Sequence, residues 1–173
     1  MAEADVDAIV ADLLVVTALK VLRDSKQLTR LQRERVADYV RPRLEWSTGE
    51  VSAADIDRLG LRTATDLAAG RAMTGLNGKF TNVLADAGLH HPYEATYPTA
   101  FFIKGDEKIP QIGLASCMAK VTRDRYMREL ALQHTGFGWE TNVGYGSGFH
   151  ISAIRTHGIT PHHRRSFLNN LSY

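Results

Sequence analysis

The sequence predicts one α/β domain over residues 1–173, in which the strands of a parallel or mixed sheet are flanked by helices. Three observations support this fold class. Short apolar runs rich in Val and Leu alternate with longer segments of helical periodicity. The length of 173 residues is enough to bury one hydrophobic core. The 44% hydrophobic and 23% charged residues are typical of a folded globular protein, and no repeat or linker interrupts the chain.

Three segments have the composition of strands. Leu13–Leu22 (LLVVTALKVL) lacks a clean alternation of apolar and polar residues, as expected for a strand covered on both faces. Asn82–Asp86 (NVLAD) and Ala100–Lys104 (AFFIK) are predicted to be short buried strands, the first of them ending in a carboxylate. The first segment is too short to span a bilayer, and the acidic residues before it are the reverse of a signal peptide's positively charged start. We therefore expect no membrane segment.

Polar capping residues mark the first helices. Thr29, with Gln32 three residues later, has the form of a capping box, and the helix that it opens should stop near Arg41, before Pro42. Ser52 starts a short helix (SAADIDRLG).

Apolar faces and glycines mark the remaining helices. One helix runs towards Gly75. Its apolar face consists of Ala64, Leu67, Ala68 and Ala72. Pro110 begins the longest helical pattern, which reaches about His134 before a glycine-containing break. A Gly-rich loop (VGYGSG), a short helix around Phe149–Thr156 and a basic tail (TPHHRRSF) complete the chain.

Charge and cysteine content restrict the function classes only weakly. The 21 Lys and Arg against 19 Asp and Glu leave a net charge of +2, which by itself indicates no nucleic-acid partner. The single Cys117 has no partner for an internal disulfide, and no Cys/His cluster has zinc spacing, so we expect a reducing, cytoplasmic compartment. The pairs His90-His91 and His162-His163 lack ligand spacing and are predicted to be surface or capping residues.

The longest helix carries a polar stripe. Ser116, Lys120 and Asp124 are spaced so that a hydroxyl, an ammonium and a carboxylate share one side of a helix. Because an unpartnered buried charge costs several kcal/mol, Asp124 should pair, bind a metal or line a cleft. The alternative is a solvated face with an ion pair from Lys120 to Asp124.

Asp86 lies at the carboxyl end of a predicted strand, where open α/β sheets place their sites. The alternative is a turn-forming aspartate that bonds its own following backbone. If Asp86 and Asp124 converge, they form an oxygen site suited to Mg²⁺ or Mn²⁺, and such a site favours phosphoryl chemistry.

Basic and aromatic residues in loops suit contact with a nucleic acid. The basic residues at loops or element ends are Lys26, Lys104, Lys108, Arg164 and Arg165. Each is placed either to contact a phosphate backbone or to act as a solubilising surface charge. Tyr145 lies between two glycines, where its ring would stack on a sugar or base or serve as a packing residue.

Several stretches, in their order along the chain, resemble the type 2 ribonucleases H, the ribonuclease HII family. They occur from about Asp12 to Phe167 without a large insertion, and the KVTRD helix and HRRSF tail are the most specific. The stretches are DSKQLTRLQRE, IDRLGLRTATDLA, the strand ending at Asp86, IKGDEKIPQIGLASCMAKVTRDRYMREL, GFGWE, VGYGSGFH and TPHHRRSF. The resemblance implies a ribonuclease H-like fold, a mixed sheet flanked by helices.

The resemblance also implies an activity. Family members are monomeric endonucleases that hydrolyse the RNA strand of RNA/DNA hybrids, including ribonucleotides embedded in DNA. They use Mn²⁺ or Mg²⁺ held by carboxylates and leave a 5′-phosphate and a 3′-hydroxyl. The residues of this chain that match are Glu3, Asp86 and Asp124 as catalytic metal ligands, Tyr145 at the ribose next to the junction, and Lys26, Ser116 and Lys120 near the site, where we expect phosphate contact or carboxylate positioning. We also expect Arg164 and Arg165, in the matching HRRSF tail, to bind the substrate.

The amino terminus departs from the family pattern. The family has a strand followed by Asp-Glu-Ala-Gly-Arg-Gly. In this chain Glu3 and Ala4 match the family's Glu and Ala, whereas Ala2 replaces the Asp and Asp5-Val6-Asp7 replaces Gly-Arg-Gly. We therefore expect a largely missing first strand and, with one oxygen ligand fewer, a weaker metal site and a lower rate.

Three interpretations remain open at this stage. The chain is a ribonuclease HII enzyme, active at full or reduced rate. Alternatively, it binds hybrids without cleaving them, because the basic loops and Tyr145 persist while the metal site is degraded. A third interpretation is a decayed or mis-started reading frame, whose product lacks a central strand and folds poorly. An in-frame strand and Asp-Glu pair in the DNA upstream of Met1 would decide it.

Overall fold

The computed structural model describes residues 28–76 and 81–169. This part of the chain is a mixed α/β arrangement, mostly helical with a small parallel sheet, which confirms the predicted fold class. In chain order the elements are α1 (Arg30–Val40), α2 (Ala53–Leu59), α3 (Leu61–Gly75), β1 (Val83–Asp86), β2 (Thr99–Phe102), α4 (Gly105–Lys108), α5 (Pro110–Gln133), α6 (Trp139–Asn142), α7 (Gly148–His157) and a 3₁₀ helix (Arg165–Phe167).

Some predictions fall outside the described residues. These are the strand at Leu13–Leu22 and the site residues Glu3 and Lys26. Among the helices that the structure describes, none is both long enough and apolar enough to cross a membrane.

The chain divides into two compact units. Among the described residues, the first contains residues 28–50, 66–76 and 81–121, and the second contains residues 51–65 and 122–169. Helices α3 and α5 each continue through a division and contribute residues to both units. The prediction of one domain over residues 1–173 stays a prediction.

The two strands pair in parallel within the first unit. Val83 lies opposite Thr99 and Asp86 opposite Phe102, and the Ala87 amide donates to the Phe102 carbonyl at 2.8 Å. Both predicted strands form, although β2 ends at Phe102 and not at Lys104. The prediction that they are buried is wrong for Leu84 and Phe101, each 42% exposed. Burial of a strand depends on which other elements pack against it, and an apolar run in the sequence does not specify those elements.

The core of the first unit joins α1 to the first half of α5. The capping box forms as predicted, because the Gln32 amide donates to Thr29 Oγ1 at 3.3 Å and the Thr29 amide donates to Gln32 Oε1 at 2.8 Å. This cap sets the start of α1, so that its apolar residues face inward. The core cluster consists of Leu28, Val36, Ala37, Val40, Leu114, Cys117, Met118 and Val121.

The core of the second unit is built from aliphatic side chains, aromatic rings and histidines. Its buried apolar residues are Met127, Leu130, Ala131, Phe137, Trp139, Ala153 and Ile154. The ring of His163 stacks on that of His150, with centroids 5.3 Å apart and an interplanar angle of 6°. His163 also lies 5.2 Å from the ring of Trp139.

The surface interpretation of the histidine pairs is wrong for His91 and His163, which are 7% and 8% exposed. Their capping role is present, because Nδ1 of His91 accepts from the Tyr93 amide at 3.3 Å and Nδ1 of His163 accepts from the Thr160 amide at 2.9 Å. A neutral imidazole can accept at one nitrogen and still pack its ring face against apolar groups.

His163 should make the stability of the fold depend on pH. Desolvation first, and the neighbouring His150 second, lower the pKa of His163 to about 4. In the unfolded chain a histidine has a pKa of about 6.5. Between these values the unfolded state binds more protons, so the free energy of unfolding falls as the pH decreases from about 6.5 to 4. Chemical denaturation at several pH values measures this slope.

An NMR titration of the wild-type protein checks the cause. The His163 ring should titrate with a midpoint of about 4 and carry its proton on Nε2 when neutral, since Nδ1 accepts from Thr160. A midpoint near the ordinary histidine value would contradict this explanation.

Candidate functional site

Two backbone amides orient the carboxylate of Asp86 at the end of β1. Its Oδ1 accepts a hydrogen bond from the Gly105 amide at 2.7 Å and from the Ala87 amide at 3.1 Å. A β-carbon on Gly105 would lie 2.7 Å from Cδ1 of Ile112 and 3.4 Å from Asp86 Oδ1. The lack of a side chain at Gly105 therefore permits this close approach. The bond from the Ala87 amide is also the one expected of a turn-forming aspartate. Asp86 therefore lies at a strand end, as a site residue would, and also bonds the backbone that follows it.

Asp106 is a second carboxylate beside Asp86, and it is not among the predicted site residues. It follows Gly105 directly and is only 8% exposed. Because the Gly105 amide binds Asp86, the start of α4 brings these two aspartates close together within the first unit. The available signal was the Gly-Asp pair directly after the AFFIK segment. In the same turn, Lys104 forms an exposed ion pair with Glu107 at 3.3 Å.

The polar stripe of α5 becomes more buried along the helix. Ser116 and Lys120 are half-buried in the first unit, and Asp124 is 5% exposed in the second. The burial of Asp124 contradicts the alternative of a solvated face at this position. Asp86 and Asp124 belong to different units, and their convergence on one metal stays a prediction.

Tyr145 projects from a loop that lies against the second half of α5. The ring is 62% exposed. Gly144 has a φ of +84°, and a β-carbon there would lie 3.0 Å from Met127 Cε and 3.7 Å from Arg123 Nη2. Asn142 fixes the loop, since its Oδ1 accepts from the Gly144 amide and its Nδ2 donates to the Phe137 carbonyl, both at 2.8 Å. The exposed phenol is thus held on a closely packed turn.

Three of the predicted site residues lie within electrostatic reach of Arg123. Its pKa is below the ordinary value, chiefly through desolvation and then through the positive charge of Arg164, while Asp124 and Tyr145 act in the opposite direction. Arg123 lies inside the KVTRD motif, but no sequence pattern marked it as a site residue. The second unit therefore gathers a carboxylate, a phenol and two guanidinium groups.

The basic tail places its two arginines differently. The guanidinium carbon of Arg164 lies 3.9 Å from the centroid of the Phe167 ring, a cation–π contact that restrains the side chain. Arg164 is half-buried, whereas Arg165 is exposed.

Within residues 28–76 and 81–169, no three His, Cys, Asp or Glu side chains come together as a metal site.

Comparison with known proteins identifies the family. The profile of the ribonuclease HII family matches residues 12–170. The ribonuclease HII of Pelagibacter ubique is 40% identical over 148 residues, which cover 86% of this chain and 79% of that protein. The ribonuclease HII of Paracoccus denitrificans is 42% identical over 146 residues, covering 84% of this chain and 69% of that protein.

A further relative, the ribonuclease HII of Cereibacter sphaeroides, is 43% identical over 159 residues, covering 88% of this chain and 72% of that protein. Together with the mixed α/β fold, these matches make the protein a ribonuclease, and therefore a hydrolase. Within that class, the chain belongs to the ribonuclease HII family. This confirms the resemblance that the sequence motifs indicated.

The two glycines that flank Tyr145 should respond differently to substitution. Gly144→Ala places a side chain at positive φ and against Met127, so the free energy of unfolding should fall by about 1–2 kcal/mol. Gly146→Ala meets nothing within 4 Å, and its effect should stay within about 0.5 kcal/mol. Urea denaturation of the two variants measures the difference, and equal effects would contradict the loop geometry.

Proposed function

We propose that this chain is a metal-dependent endonuclease that hydrolyses the RNA strand of RNA/DNA hybrids, including ribonucleotides embedded in duplex DNA. The products carry a 5′-phosphate and a 3′-hydroxyl. Membership of the ribonuclease HII family supports this proposal. The structural observation that carries it is the strand-end carboxylate of Asp86, held by the Ala87 and Gly105 amides beside the buried Asp106.

Asp86 and Asp106 have the chemistry of ligands for Mn²⁺ or Mg²⁺, because these cations prefer carboxylate oxygens. We include Asp124 and Glu3 in the proposed ligand set. A divalent cation held by these groups would polarise the scissile phosphate and stabilise its developing negative charge. The Ala87 and Gly105 amides would hold the Asp86 carboxylate in one orientation, which lowers the free energy needed to organise the site.

The proposed substrate contacts use the remaining predicted residues. Tyr145 presents an exposed ring that suits stacking against a sugar next to the RNA–DNA junction. Positive groups suit the phosphate backbone of a hybrid. The proposed phosphate-contacting or positioning residues are Lys26, Ser116, Lys120, Arg123, Arg164 and Arg165. We propose that the protein acts as a monomer in the cytoplasm.

A cleavage assay tests the function. Pure protein is incubated with a DNA duplex that contains one ribonucleotide, with Mn²⁺ or Mg²⁺ in separate reactions. The wild-type protein should nick the ribonucleotide-containing strand, and the new 5′ end should resist kinase labelling until it is dephosphorylated. Asp86→Asn and Asp106→Asn should each lower kcat by about 100-fold or more, because removing a metal ligand costs several kcal/mol of transition-state stabilisation.

Matched controls separate this effect from general damage. Asp38→Asn changes an exposed aspartate of α1 in the same way and should cleave at the wild-type rate. Mn²⁺ titration followed by electron paramagnetic resonance should show weaker binding in the Asp86 and Asp106 variants only. Hybrid binding without cleavage by the wild-type protein would overturn the enzyme proposal and identify the hybrid-binding alternative.

Tyr145 should contribute to affinity through its ring. Aromatic stacking on a base is worth about 1–3 kcal/mol, and if the contact of the ring with the sugar is of the same order, Tyr145→Ala should weaken binding of the ribonucleotide-containing duplex by about tenfold. Tyr145→Phe keeps the ring and should retain most of the affinity. Fluorescence anisotropy of a labelled duplex measures both variants. Equal losses of affinity in the two variants would show that the hydroxyl, and not stacking, makes the contact.

A further inference from the structure

A carboxylate of α2 holds the 3₁₀ helix near the end of the chain. Oδ2 of Asp57 accepts from the Arg165 amide at 2.8 Å, and Oδ1 accepts from the Ser166 amide at 3.0 Å and from the Ser166 hydroxyl at 2.5 Å. Arg164, the residue that precedes this helix, makes no side-chain capping bond of its own. Asp57 therefore supplies, from a distant part of the sequence, the acceptor that an N-cap side chain usually supplies.

These bonds favour the ionised form of Asp57. The Ser166 hydroxyl is the largest cause that lowers its pKa below the ordinary aspartate value, followed by the Ser166 amide. The Arg165 amide and the Arg165 cation act in the same direction. A negative charge thus lies against a segment that carries two adjacent positive charges, and it offsets part of their mutual repulsion.

The held segment also determines where Arg164 lies. The Arg164 guanidinium stacks on the ring of Phe167, which is the last residue of the same 3₁₀ helix. Arg164 in turn lowers the pKa of Arg123 on α5, so the two cations lie within electrostatic reach of each other. The backbone and the ring that set the position of Arg164 both belong to the segment that Asp57 caps.

We infer that Asp57 is a positioning residue, which holds Arg164 and Arg165 in the arrangement that contacts the phosphates of the hybrid. This inference rests on the proposed function. Asp57 does not itself contact the substrate; it acts through the backbone of the two arginines. Without the cap, the amides of Arg165 and Ser166 lose their acceptor and the tail takes up several orientations. The arginines would then bind phosphate less often in the productive geometry.

The test is Asp57→Asn, which keeps the size of the side chain but removes its charge. It also replaces one acceptor oxygen by an NH₂ group, which cannot accept a hydrogen bond from a backbone N–H. The KM for the ribonucleotide-containing duplex should rise by about tenfold, while kcat stays within about twofold. The slope of log affinity against log salt, measured by anisotropy without divalent cation, should become shallower by about one for each phosphate that the arginines no longer bind.

Two further variants make the test specific. Asp55→Asn is the matched control, because Asp55 lies on the same helix but accepts from Ser52 and Arg58 instead of the tail. It should leave KM and the salt slope unchanged. Ser166→Ala removes only the hydroxyl bond to Asp57, so a smaller rise in KM should appear even if Asp57→Asn fails to fold.

A double-mutant cycle tests whether Asp57 acts through the arginines. In a background that carries Arg164→Ala and Arg165→Ala, adding Asp57→Asn should raise KM little further. A full additional rise would overturn the inference, as would an unchanged KM and salt slope in both Asp57→Asn and Ser166→Ala. In those two cases the wild-type protein still cleaves and the proposed function stands. A wild-type protein that neither binds nor cleaves the hybrid overturns both.

Discussion

The burial of α5 is the constraint on which most of the described structure depends. Its first half places Leu114 and Val121 in the core of the first unit, and its second half places Met127 and Leu130 in the core of the second. The same helix carries Asp124, which is only 5% exposed, and a carboxylate so buried needs nearby positive or polar groups. Arg123 lies within electrostatic reach and is one such group.

In both units, aspartate carboxylates accept hydrogen bonds from main-chain amides of distant segments. Asp86 accepts from Gly105, nineteen residues away, and Asp66 accepts from the His90 amide at 3.0 Å. Asp57 accepts from residues more than a hundred positions later in the sequence. Irregular segments have backbone donors that no helix or strand satisfies, and a carboxylate satisfies them with strong, charge-assisted bonds. The same kind of bond thus organises a proposed metal ligand and a proposed phosphate-binding tail.

Two residues of reactive or titratable types, Cys117 and His163, are packed in the cores of this protein. Cys117 is buried in the first core, where desolvation raises the pKa of its thiol to about 11, so the thiolate is scarce near neutral pH. His163 stays neutral in the second core and stacks between aromatic neighbours. Cysteine is among the residue types most often buried, so the position of Cys117 is the ordinary one, whereas a histidine is found on surfaces and in sites as well as in cores and its burial cannot be read from the sequence.

The sequence by itself determined the longer helices and the identity of the family, whereas the short helices α4 and α6 and the 3₁₀ helix were not predicted. Thr29, Ser52 and Pro110 act on their own first turns, and such local interactions are readable from neighbouring letters. The ordered motifs from DSKQL to HRRSF sufficed for the ribonuclease HII resemblance, which the family comparison confirms.

Only the tertiary structure decided which residues lie together and which are covered. It exposed Leu84 and Phe101 in strands that composition predicts to be buried, and it buried His163 and Asp106. It also joined Asp57 to the arginine tail. Each of these results depends on contacts between segments that are far apart in the chain. Hydrophobic periodicity and capping patterns extend over one or two turns, so they carry no information about which distant amide, ring or cation a side chain will meet.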